Sequence, residues 1–143
     1  MYAATLAGRI LITAMFLFSG AMKLIDVSGT AGHIEQAGLP LPSVAAVLTG
    51  LFEIGAAVMV LVGWHARIAL WALAAFCIVA GLFFHNFWAF EGGERTAQMA
   101  NFLKNVTIAG AFGLLAEFAA GRYGFDARRG HVFEARPGRM GMA

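Results

Sequence analysis

The sequence predicts an all-α integral membrane protein, a four-transmembrane-helix up-down bundle with both termini cytoplasmic. Four apolar stretches, at 6–25, 41–62, 68–90 and 102–120, each approach the ~20 residues that a helix needs to cross the hydrocarbon core. Of the 143 residues, 60% are hydrophobic and 13% charged, about half the charged share of a soluble domain. The connections at 63–67 and 91–95 are so short that the helices they join must be antiparallel neighbours.

The first span, 6–25, has Arg9 inside the apolar run rather than before it, Lys23 follows near its far end, and no small-x-small cleavage pattern precedes a polar sequence. It reads as a retained helix rather than a signal peptide. A longer connection, 26–42, follows. Within it 30–37 can form a short interfacial helix, which Gly38-Leu39-Pro40-Leu41-Pro42 ends. Pro42 suits the first turn of the second span, 41–62, where a missing N–H breaks no intrahelical bond. The third span, 68–90, is followed by Glu91-Gly92-Gly93-Glu94-Arg95. The fourth, 99–120, is the weakest, because Lys104 and Glu117 leave only 106–116 as uninterrupted apolar core. The expected division is a bundle at 1–121 and a Gly- and Arg-rich tail at 122–143, predicted to be mobile.

Arginine placement orients the bundle. Putting the N-terminus, the 63–67 turn and the tail on one side collects Arg9, Arg67, Arg122, Arg128, Arg129, Arg136 and Arg139. Only Arg95, Lys23 and Lys104 stand opposite. Both termini are therefore expected in the cytoplasm. Trp64, Phe87, Trp88, Phe90, Tyr123 and Phe125 lie where aromatic belts meet the two interfaces. Ala46/Gly50, Ala109/Gly113 and Ala116/Ala120 repeat at the spacing that lets helix backbones approach closely in lipid.

Glu53 is the residue that packing alone does not explain. It lies about 15 Å into the second span at 1.5 Å per residue, too deep for a short side chain to reach water. It must be neutral, paired or facing water. Thr49, Gly50, Glu53, Ala56 and Ala57 share one small, polar helical face. Cys77, Gly81 and His85 form a stripe on the third span. Ser19 sits one turn before Lys23 on the first, and Gln98, Asn101 and Asn105 line the fourth beside Lys104. Because side chains lean toward their helix N-terminus, Lys23 and His85 lean inward toward Glu53, whereas Lys104 leans outward. The expected site is one pocket in the outer half of the bundle. Glu53, His85 and Lys23 are its catalytic candidates; Lys104, Asn105, Asn86, Asn101, Ser19 and Thr49 are its substrate-binding candidates. Snorkelling to headgroups equally accounts for Lys23 and Lys104, and helix-helix bonding for Asn101 and Asn105.

Two lysines against one carboxylate suit an anionic or carbonyl-bearing amphipath such as a quinone head, a phenolate or a fatty-acid carboxylate. A hard cation would require several oxygens, so no metal site is expected. The single cysteine, Cys77, excludes an intramolecular disulfide and a CxxC motif. His85 is the one histidine within a span, with His33, His65 and His131 outside, so haem ligated within one chain is not expected. The Arg-rich tail fits anionic lipid better than nucleic acid.

Gly8-Arg9-Ile10-Leu11 running to Phe18-Ser19-Gly20-Ala21-Met22-Lys23-Leu24 resembles the first helix of the DoxX family. Further along, Ala37-Gly38-Leu39-Pro40, Phe52-Glu53-Ile54-Gly55, Gly63 and Arg67, Phe84-His85-Asn86-Phe87-Trp88 and Phe102-Leu103-Lys104-Asn105-Val106 extend the likeness, in order, over 8–126. The resemblance implies a four-helix bacterial inner-membrane protein, related to a subunit of a thiosulfate:quinone oxidoreductase and linked to quinone, catechol or thiol stress response. The first functional expectation is thus a redox subunit with no in-chain redox centre and no covalently bound cofactor. It would bind quinone and take electrons from a soluble redox partner. The alternatives are non-redox binding or transport of a small amphipathic ligand or lipid, or a membrane anchor for a cytoplasmic enzyme. Membrane lipids and a homo-oligomer complete the expected partners.

Overall fold

The computed structural model describes residues 2–118, with side chains over 6–117, so the expected tail at 122–143 lies outside the described residues. Five α-helices occur among the described residues: α1 Tyr2–Ile25, α2 Val27–Gln36, α3 Pro42–Val62, α4 Ala66–Phe84 and α5 Gly92–Phe118, with a 3-10 turn at Phe87–Ala89. Among the described residues, four segments are long and apolar enough to cross a membrane: Leu6–Ile25, Pro42–Val62, Ala66–Ala89 and Gly92–Glu117. No strand occurs among the described residues. The fold is the all-α four-span bundle that the composition and span lengths predict.

Local chemistry sets the helix ends. Asp26 caps α2, its carboxylate accepting from the Gly29 N–H at 2.9 Å and the Ser28 hydroxyl at 3.1 Å. The Asp26 cap starts α2 at Val27, ahead of 30, and Ala31 and Ile34 bury its apolar side. Pro42 occupies the first turn of α3, as its fixed φ favours, and the preceding Leu41 adopts a left-handed φ of 53°. At the other end Gly63 takes φ 71°, so that its own N–H reaches the Val60 carbonyl and that of Trp64 the Met59 carbonyl. α4 stops at Phe84, short of 90, because the chain turns through His85 and Asn86 into the 3-10 segment. α5 in turn starts at Gly92, ahead of 99.

All neighbouring spans are antiparallel. Positions 20 and 54, then 24 and 50, face each other across α1 and α3, so advancing a turn on one retreats a turn on the other. Phe52 and Phe76, with ring centres 5.4 Å apart, do the same for α3 and α4. Gly81 beside Asn105 and Trp71 beside Gly113 do so for α4 and α5. Phe16 on α1 meets Phe112 on α5 at 5.3 Å and closes the ring of helices. The core around that contact is Ala56, Ala57, Val60, Leu70, Leu73, Ala74, Cys77, Ala109 and Ala116. Most other large apolar side chains are exposed, as expected for a surface that lipid covers.

At the end carrying the α3–α4 turn, Arg67 donates to both carboxylate oxygens of Glu117 at 3.0 and 3.2 Å, tying α4 to α5. Both side chains are about half exposed, 49% and 54%. Such pairs contribute about 0.2–1 kcal/mol, so Glu117→Gln is expected to shift the melting point in detergent only slightly. A large drop would show that this clamp, rather than core packing, holds the two helices together.

Candidate functional site

Glu53 is buried at 2% exposure in the middle of α3. Its carboxylate meets the Lys23 ammonium, with Nζ 3.0 Å from Oε1 and 3.1 Å from Oε2. Lys23 also donates to the Ser19 hydroxyl, one turn earlier on α1, at 2.6 Å. The lysine side chain keeps 25% of its surface exposed. Of the two partners, then, one is sealed and one is reachable.

Backbone geometry explains how a side chain near the end of α1 meets one in the middle of α3. The helices touch at Gly20 and Gly50, where a Cβ placed on Gly20 would come within 2.7 Å of the Gly50 carbonyl oxygen and 3.2 Å of the Glu53 Cβ. From that crossing Lys23 lies nearly a turn one way and Glu53 nearly a turn the other. Each side chain leans toward its own helix N-terminus, and in antiparallel helices those leans converge. The pair forms because the helices run in opposite directions with two glycines at the contact.

Isolated charge at mid-membrane is unfavourable by about 3 kcal/mol or more. The ion pair and the Ser19 bond compensate both charges, and no buried side-chain polar atom among the described residues lacks a partner. Cys77 on α4 is buried within electrostatic reach of Glu53. On the α3–α4-turn side of the pair, Phe16 and Phe112 are both buried in contact with each other. At the opposite end, Phe16 to Lys23 along α1 and Phe112 to Asn105 along α5 are equal steps, which puts Asn105 level with Lys23.

The other candidates fall into separate groups. The His85 imidazole Nδ1 lies 2.9 Å from the Gln98 side-chain oxygen, which accepts when Nδ1 carries a proton. This contact lies about two turns beyond Cys77, toward the end of the bundle that carries α2. Next in the chain, Phe87 and Trp88 cluster with Phe102 of α5, with ring separations of 5.2 Å for Phe87–Trp88, 5.5 Å for Phe87–Phe102 and 6.0 Å for Trp88–Phe102. Asn86 precedes the 3-10 turn, and its carbonyl accepts from the Ala89 N–H at 2.9 Å. Lys104 is exposed and donates to the Asn101 side chain at 3.4 Å on its own helix. Asn105 donates to the Asn101 carbonyl at 3.4 Å and packs its Cβ against Gly81. The Thr49 hydroxyl bonds back to the Ala45 and Ala46 carbonyls at 2.7 and 3.1 Å. No group of three or more His, Cys, Asp or Glu side chains able to hold a metal ion occurs among the described residues.

Two further participants belong to the site, and only the first carries a signal in the sequence. Gln98 lies on the Asn101/Asn105 stripe but was not among the binding candidates, and it is the partner of His85. Gly20 stands one turn from Lys23, and nothing in α1 alone marks it as the crossing point.

The DoxX family profile matches residues 4–86. The chain is 31% identical over 123 residues to Inner membrane protein YphA of Escherichia coli (strain K12), covering 86% of this chain and 88% of that protein. It is 32% identical over 121 residues to Inner membrane protein YqjF of the same organism, covering 85% and 88%. No solved structure matches it.

Proposed function

The chain belongs to the DoxX family, and for this multi-pass bacterial inner membrane protein we propose that Lys23 and Glu53 receive the oxygen-bearing head of a quinone or related aromatic or anionic amphipath, in a membrane redox role. The observation that carries the reading is the asymmetric ion pair, with Glu53 sealed at 2% exposure and Lys23 reachable at 25%. An ammonium has three N–H bonds. Ser19 and Glu53 account for two, and the third is available to a ligand oxygen. Asn105, level with Lys23, adds a neutral amide on the α5 side. The aromatic rings near His85 supply a flat apolar surface at the mouth. The pair thus binds and orients the head, and Glu53 is the group suited to holding a proton beside it. A bound quinone would supply the two-electron chemistry, with electrons arriving from a soluble redox partner protein.

The Phe16–Phe112 contact supports approach from the α2 end and favours a binding site over an open passage. Arginine placement supports both termini being cytoplasmic, which makes that mouth face the outer leaflet. An anchor for a cytoplasmic enzyme would leave the buried pair without a task.

Tryptophan quenching by a short-tailed ubiquinone analogue, titrated into protein in nanodiscs, tests the reading. Saturable quenching is expected for the wild-type protein and none above empty discs for the Lys23→Met/Glu53→Met double variant. Equal quenching by both proteins would overturn the assignment.

A further inference from the structure

Resting on the reading of Lys23 as the ligand contact, we infer that an acidic ligand enters as the anion of a lipophilic weak acid, a carboxylate or phenolate, together with one proton that ends on Glu53. Both oxygens of Glu53 face the single Lys23 ammonium. An incoming anion that takes over the ammonium leaves Glu53, at 2% exposure within a span, without a countercharge. A buried carboxylate in that position is strongly disfavoured in its ionised form.

Among the described residues, no second cation on the neighbouring elements stands ready to replace Lys23. On α4, Cys77 is the titratable group within reach, and it is neutral or negative in either state. On α2, His33 and Glu35 are exposed, and Asp26 at its start is held in the helix cap. On α5, Lys104 is exposed against Asn101, and His85 at the end of α4 bonds Gln98. The charge balance therefore closes through a proton. Before binding the site holds one ammonium and one carboxylate; afterwards it holds the ammonium, the ligand anion and a protonated Glu53. One proton moves from water to a Glu53 oxygen, and no other covalent bond changes. A neutral carbonyl head, which uses only the third N–H of Lys23, leaves the pair intact and takes up no proton.

The test uses a dansyl-labelled alkyl sulfonate, which stays anionic at every working pH, and full-length protein in phosphatidylcholine nanodiscs. Wild-type protein is expected to bind the probe about tenfold more tightly for each unit the pH is lowered across the neutral range. In weak buffer it is expected to take up about one proton per probe bound, a measurement that needs no variant. In Glu53→Gln the affinity should no longer depend on pH. Lys23-dependent binding that is flat in pH and takes up no proton would overturn the proton linkage and leave the Lys23 site standing. A full pH slope retained in Glu53→Gln would overturn it as well, by placing the proton elsewhere. Binding that is absent, or that persists unchanged in the Lys23→Met/Glu53→Met double variant, would overturn both.

Discussion

Lys23→Met is expected to lower the melting temperature in detergent more than any other single substitution at the site, by the equivalent of about 3–5 kcal/mol. The surviving partner decides the size. Removing the lysine leaves Glu53, at 2% exposure, with no countercharge and no route to water. Glu53→Gln removes the other charge and is expected to cost far less, about 1 kcal/mol. There the survivor is Lys23, already 25% exposed near the end of α1, whose long side chain can swing toward the headgroups while Ser19 keeps one bond. The double variant Lys23→Met/Glu53→Met, which replaces the pair with apolar side chains of similar length, is expected to melt close to wild type. This cycle separates stability from binding, because the double variant folds yet offers nothing to a ligand oxygen. If Lys23→Met melts with the wild type, Glu53 has another partner and the pair is not what neutralises it.

Gly20→Ala is expected to be the second large effect, about 1–3 kcal/mol, through a different mechanism. The added methyl would lie 2.7 Å from the Gly50 carbonyl and 2.8 Å from the Ile54 side chain. The first of these is backbone inside a helix and cannot turn aside, so α1 must move away from α3. Lys23 moves with it, and ligand binding is expected to weaken along with stability. Gly55→Ala, on the exposed face of α3 with nothing within 4 Å, is the matched control. It is expected to be neutral or stabilising by up to about 1 kcal/mol, since alanine is the better helix former. Melting curves of the two variants side by side decide the point: equal behaviour would mean that the crossing is looser than its geometry implies.

Glu53 shows how far the site could be read in advance. A carboxylate in the middle of a span is anomalous on length and hydropathy alone, and the requirement for a countercharge narrowed its partner to two lysines. The lean of each side chain toward its helix N-terminus favoured Lys23 over Lys104, and deciding it needed the rotation of each helix about its axis. Lys104 and Asn105 are adjacent in sequence, yet neighbouring helical residues point about 100° apart. Asn105 packs on Gly81 while Lys104 faces outward. In a soluble helix the apolar stripe would have fixed that rotation. A span surrounded by lipid is apolar on both faces, so the stripe is faint and the polar minority must indicate the inward direction. His85 was ambiguous for a related reason. Its level depended on where α4 stops, and the helix ends at Phe84 in a turn that places the imidazole beside Gln98.

By itself the sequence determined the four spans, their up-down order and the need for Glu53 to find a partner, because these follow from transfer energies and from connections too short to allow another path. Only the tertiary structure decided that Lys23 and Ser19 answer Glu53, that Gly20 meets Gly50 to bring them together, and that His85 and Lys104 stand apart from the pair. Those outcomes depend on helix register and rotation, which are set by close packing between distant segments and leave almost no local trace in the chain.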